Sequence, residues 1–189
     1  MRDKPSGFQP VEVSPGALFS RALEHCSKRS GKTREAVLAR LRSCDSEMHG
    51  TFRYALAKEL SEYLGSLGVA FRAVYVYGSA MGETSSPCSD IDIILDVEHP
   101  TDGIDRLMRG LDIAFVTQFR ALFPWAKQLH SLLDVRTIAA LPSERKDRYS
   151  GGFSGFGTSP VCLWRVSPKQ AGVLHKEGPR RPTPSVIGR

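Results

Sequence analysis

This sequence has no long apolar run. None of its segments approaches the roughly 20 residues that a membrane-spanning helix needs, so none reads as one. Met1 to Val13 carries charges and prolines but lacks the apolar stretch of a secretory signal. Cysteine is sparse: Cys26, Cys44, Cys88 and Cys162 lie far apart, with no Cys-x-x-Cys pair. That spacing argues against a zinc site and against a dense disulfide framework. Four reduced thiols in a cytoplasmic protein are expected. No internal repeat is visible, which sets aside solenoids and propellers.

What is present is ordinary in bulk and uneven in charge. The 189 residues are 41% hydrophobic and 24% charged, enough for one domain with a real core. Residues 1–68 hold 11 Lys and Arg against 8 Asp and Glu, residues 69–141 hold 6 against 9, and residues 142–189 hold 9 against 3. An acidic centre suits a metal site, and a basic flank suits phosphate on a nucleotide or a nucleic acid.

The pattern predicts helices first and a sheet after them. Ser14 and Pro15 open a helix reaching Lys28, and Thr33 caps a second that runs to Cys44. A third runs from about Met48 to Leu67, with Phe52, Leu56, Leu60, Tyr63, Leu64 and Leu67 on one stripe and Gly68 as its stop. Residues 69–77 read as a strand, a short helical turn follows over Ala80–Glu83, and Asp90–Val97 is a second strand. A long helix over Asp102–Phe123 leads to a third strand at Leu132–Ile138, and Val161–Val166 forms a further short strand. The expected fold is α+β: a small mixed β-sheet with flanking helices, preceded by N-terminal helices. Its expected divisions are an N-terminal helical extension at 1–49, a core at 50–141, a C-terminal extension at 142–177 and a disordered tail at 178–189.

Asp90 and Asp92 stand two apart in a strand, so both carboxylates project from one face while Ile91 and Ile93 face the other way. Like charges so placed repel, and a divalent cation between them offsets the cost. Magnesium suits two carboxylates plus phosphate oxygens. The plainer alternative is a solvent-facing strand edge, although Asp is depleted in strands. Gly78 and Ser79 end the preceding strand. Glycine lets a ligand approach the backbone, and the N–H groups of a helical turn point at an anion. A plain strand-ending turn is the alternative there.

Taken together, these residues read Gly-Ser, ten residues, then Asp-hydrophobic-Asp-hydrophobic. The stretch from Val76-Tyr77-Gly78-Ser79-Ala80-Met81-Gly82 through Ser89-Asp90-Ile91-Asp92-Ile93 resembles the signature of the polymerase-β-like nucleotidyltransferase superfamily. It is most similar to the minimal, antitoxin-type enzymes and the aminoglycoside nucleotidyltransferases. The direct match covers about 20 residues, and the order of elements extends it over roughly 50–140.

The resemblance implies a third carboxylate on a later strand. Asp134 fits, and Asp112 is the alternative, at the cost of breaking a helical stripe. It also implies two Mg2+ ions at Asp90, Asp92 and Asp134, an NTP (ATP expected) whose phosphates lie at Gly78 and Ser79, and an acceptor hydroxyl on a protein, a tRNA end or a small molecule. Many relatives carry a basic residue just after Gly-Ser, whereas Ala80 and Met81 stand here, so Arg145, Lys146 and Arg148 are candidate phosphate cations, with a solvated basic turn the favoured alternative for each. His130 is a minor catalytic candidate, Trp125 and Trp164 read as packing residues, and residues 149–159 read as a surface or substrate loop. Two rival functions remain open: a catalytically idle nucleotide-binding regulatory module, and a basic RNA-binding domain in which Asp-Ile-Asp is incidental.

Overall fold

A computed structural model describes residues 13–67, 71–81, 85–139 and 160–166. Among the described residues, four helices form where local chemistry starts them. Helix α1 (Pro15–Ser30) has Ser14 as its cap, whose Oγ accepts the Ala17 N–H at 3.2 Å, and Gly31 ends it at φ 63°. Helix α2 (Arg34–Arg42) is capped by Thr33. Helix α3 (Ser46–Ser66) starts two residues earlier than the apolar stripe suggested, because the Asp45 carboxylate caps it through the Met48 N–H at 2.9 Å. Helix α4 (Asp102–Leu122) has Thr101 as cap, Asp102 and Asp105 in its first turn and Arg120 in its last, in keeping with the helix dipole. Among the described residues no helix is long and apolar enough to cross a membrane.

Four strands among the described residues complete the α+β fold: β1 (Phe71–Tyr77), β2 (Ile91–Val97), β3 (Leu133–Ile138) and β4 (Val161–Arg165). Their order in the sheet is β3-β2-β1-β4. Strand β1 is antiparallel to both β2 and β4, while β2 and β3 are parallel and joined through α4. The sheet is therefore mixed, as expected. The expected second strand began at Asp90, but the ladder starts at Ile91 and leaves Asp90 just outside it. The turn after β1 is a 3-10 turn over Gly78–Met81, and a second such turn, which periodicity did not reveal, spans Pro124–Gln128. Gly68 as helix stop, the end of the first turn at Glu83, the loop at 149–159 and the tail at 178–189 lie outside the described residues.

One face of the sheet meets the helices. Val74, Val76, Ile91, Ile93, Leu95, Val97 and Leu133 join the buried side chains of α1, α3 and α4 in one core. Phe19, Phe52, Phe119 and Phe123 form its aromatic centre, with Phe19 and Phe52 ring centroids 4.9 Å apart. The opposite face carries Ala73, Tyr75, Tyr77 and Ile94, with Ile138 packed against them. A bulge between Phe71 and Ala73 explains how Phe71 joins the first face while Ala73 joins the second.

Two segments expected outside the core take part in it. Leu18, Leu23, Val37 and Leu41 of the N-terminal helices are fully buried in the main cluster. Strand β4, from the expected C-terminal extension, is an edge strand of the same sheet. Its Trp164 lies so close to α3 that a Cβ on Gly65 would overlap the indole.

Gly65→Val therefore tests how β4 is held. Helix propensity gives the variant a few tenths of a kcal/mol, but the added methyls displace Trp164. A net loss of about 1–3 kcal/mol is expected from urea denaturation. An unchanged midpoint would contradict the contact.

Candidate functional site

Register and alternation build the site. Asp92 lies opposite Tyr77 of β1 and opposite Asp134 of β3. In the parallel β2–β3 pair the two aspartates share a face, the one turned away from the helices, because Ile91, Ile93, Leu133 and Val135 take the other. Asp90, one residue ahead of β2, completes the group. Ligand oxygens of Asp90, Asp92 and Asp134 all lie within 4.8 Å of one another.

The electrostatics follow from the crowding. Burial pushes the half-buried Asp92 carboxyl up to about 6; the neighbouring charges of Asp90 and Asp134 add to that, and Arg136 partly opposes it. The Arg136 guanidinium also sits 6.0 Å from the centre of the Tyr77 ring. Burial, in turn, raises the Tyr77 phenol.

Gly78 is required twice over. Its φ is +70°, and a Cβ there would overlap the Asp92 carboxylate. The turn it opens is therefore bare backbone where it passes Asp92. Ser79 is half-buried, and its carbonyl accepts the hydroxyl of buried Ser85 at 2.5 Å. Ser86 N–H donates to Ser89 Oγ at 3.0 Å, closing the loop that leads to Asp90.

Asp112 is not part of the cluster. Its carboxylate accepts the N–H groups of Leu132 and Leu133 at 2.7 and 2.9 Å and the Ser131 hydroxyl at 3.0 Å. It reaches from α4 to hold the chain entering β3. Of the two candidates for a third carboxylate, then, Asp134 joins Asp90 and Asp92 while Asp112 supports the backbone ahead of it. His130 is exposed and outside the cluster. Trp125 stacks on Phe123 at 5.4 Å and donates its indole N–H to Leu41 O at 3.3 Å, so it packs, as Trp164 does. Arg145, Lys146 and Arg148 lie outside the described residues.

Sequence reasoning missed Arg53. This α3 side chain is 0% exposed and donates from Nε to Ser89 O at 2.8 Å and from Nη2 to Pro87 O at 2.6 Å. Burial lowers its pKa to about 10, which leaves it protonated at neutral pH. One turn earlier lies His49, also buried, with Nε2 3.0 Å from Leu41 O. Burial, then Arg53, push its pKa down to about 4. The available signal was a cation at a helix position whose neighbours by the 3.6-residue period, Leu56 and Leu60, are core residues. The chain matches no family model, no curated protein and no solved structure.

Asp92 sets a pH dependence. Its folded pKa lies above the unfolded value of 3.8, so its contribution to stability is fully present below about pH 4 and is lost as pH rises through about 6. Without divalent cation, the melting temperature of the wild type relative to Asp92→Asn should fall across that window. A constant difference from pH 4 to 7 would contradict the crowding.

Proposed function

We propose that the chain is a metal-dependent nucleotidyltransferase of the polymerase-β-like kind. It moves a nucleoside monophosphate from an NTP, with ATP the expected donor, to an acceptor hydroxyl and releases pyrophosphate. One observation carries this reading: three carboxylates, one just ahead of β2, one in β2 and one in β3, converge within 4.8 Å, beside a glycine turn at the end of β1. The spacing of Gly78-Ser79 and Asp90-Ile91-Asp92, similar to the superfamily signature, supports it.

The residues fit a magnesium site. Every donor is a carboxylate oxygen, the hard ligand that Mg2+ prefers. Burial first, and then the charges of Asp90 and Asp134, raise the Asp92 pKa, and a cation would relieve the penalty on its charged form. Asp90, Asp92 and Asp134 would hold the metal, two ions by the resemblance. When bound, the metal neutralises phosphate charge and lowers the pKa of the attacking hydroxyl.

The chain's own groups do the rest. The Gly78 backbone and the Ser79 hydroxyl donate to the β- and γ-phosphates, with no side chain at Gly78 to keep them away. Asp134 accepts the acceptor's proton. The acceptor oxygen forms a bond to the α-phosphorus while the bond from that phosphorus to the bridging oxygen breaks, and pyrophosphate leaves. Much of the acceleration would come from alignment and fixed dipoles. The acceptor class stays broad: a protein side chain, a tRNA end or a small alcohol. A reducing cytoplasm is the proposed compartment, and the four unpaired cysteines suit it.

Thermal-shift titration with each of the four NTPs, with and without magnesium, tests the reading. At 100 times its Kd a ligand that binds only the folded state adds about 2.7 kcal/mol. A magnesium-dependent rise with at least one NTP is expected, and the Asp90→Ala/Asp92→Ala variant should lose it. No rise with any NTP in folded wild type would refute the proposal.

A further inference from the structure

We propose that Arg53 and Asp112 are positioning residues for the carboxylate site, each fixing the backbone just ahead of one carboxylate: Arg53 before Asp90, and Asp112 before Asp134. The inference rests on the cation reading of that site.

Arg53 is fully buried, yet among the described residues its hydrogen bonds go only to the carbonyls of Pro87 and Ser89. A buried guanidinium without a carboxylate in contact is costly, and an apolar side chain would fill the same helix position without that cost. What the guanidinium adds is a fork that holds two carbonyls of the loop entering β2. Asp112 does the complementary work with opposite charge. It gathers the Leu132 and Leu133 N–H groups and the Ser131 hydroxyl, immediately before Asp134.

The two devices meet. Ile91 N–H donates to Leu132 O at 2.7 Å. Asp90 thus sits between a carbonyl held by Arg53 and an N–H held by Leu132, whose own N–H is held by Asp112. The separation of Asp90 from Asp134 is set through this run of hydrogen bonds, from α3 on one side and α4 on the other. Partners of this kind, one layer behind a metal site, typically change metal affinity by about 10- to 100-fold.

Charge and position predict opposite signs for one variant. If Arg53 acted only through its charge, Arg53→Met would remove a cation near Asp90 and tighten divalent-cation binding. If Arg53 positions the site, the same change weakens binding.

The test is manganese(II) binding, with free ion counted by electron paramagnetic resonance. It compares wild type, Arg53→Met, Arg53→Lys, Asp112→Ala and Asp92→Asn, each shown folded by its thermal melt. Arg53→Met and Asp112→Ala, which removes the acceptor of the Leu132 and Leu133 N–H groups, should bind about 10- to 100-fold more weakly. Arg53→Lys, which keeps the charge but not the fork, should fall between them and wild type. Should Arg53→Met not fold, Arg53→Lys and Asp112→Ala carry the test. Folded variants that bind as tightly as wild type, or more tightly, overturn the positioning role while Asp92→Asn still loses binding. Absence of binding in wild type, or its persistence in Asp92→Asn, overturns the cation reading and the positioning role with it.

Discussion

Repulsion among Asp90, Asp92 and Asp134 is the constraint that the rest of the structure has to withstand. Three carboxylates within 4.8 Å drive strands apart unless something holds their register. The opposite face of the same strands supplies that hold. Ile91, Ile93, Leu95 and Val97 are buried against the helices, and a slip of one residue would turn them outward and drive the aspartates into the core. Apolar burial on one face thus holds like charges together on the other. Each buried aliphatic side chain contributes roughly 1.5–3 kcal/mol, so four of them outweigh any repulsion between partly solvated carboxylates.

Hydrogen-bond partners separate Asp112 from the carboxylates of the cluster. Asp112 spends its oxygens on two backbone N–H groups and a hydroxyl, and so is tied to the chain entering β3. Asp92 is pushed toward protonation, by burial and by its neighbours. The same residue type does opposite work because one site offers donors and the other offers more negative charge. Gly78 sharpens the second environment. Any side chain there would occupy the space of the Asp92 carboxylate, so only backbone can border the site on that side.

Much of this was legible in the sequence where the information is local. Ser14 and Thr33 announce their helices by capping chemistry, and alternation in Asp90–Val97 places both aspartates on one face. The preference for Asp134 over Asp112 was also local, since Asp112 interrupts an apolar stripe only if α4 is denied. What was not legible depends on distant partners. Nothing near Val161–Arg165 says that it pairs with β1, and the bulge that lets Leu163 and Trp164 both pack on the core is a property of the pair. Arg53 was missed although the helical period puts it in line with Leu56 and Leu60, because a cation on an apolar face does not say what it pairs with. Its partners, Pro87 O and Ser89 O, are backbone atoms that carry no residue-type signal.

Helix α3 shows why the N-terminal helices are not an appendage to the sheet. Within 21 residues it places Phe52 in the aromatic centre, Arg53 on the loop ahead of Asp90, and Gly65 against Trp164 of β4. Its own start is set by Asp45, whose carboxylate also binds Arg40 of α2, with 2.7 Å from Nε to Oδ2. His49 accepts burial at the cost of staying neutral, and its Nε2 meets the same Leu41 carbonyl that the Trp125 indole N–H reaches from the turn after α4. The loop before Asp90 is therefore braced by a helix that is itself locked to α1, α2 and the end of α4. A site that must keep three carboxylates close cannot rest on the sheet alone, because the segments carrying Asp90 and Asp134 enter their strands from loops. Arg53 of α3 and Asp112 of α4 tie those loops to the helical layer.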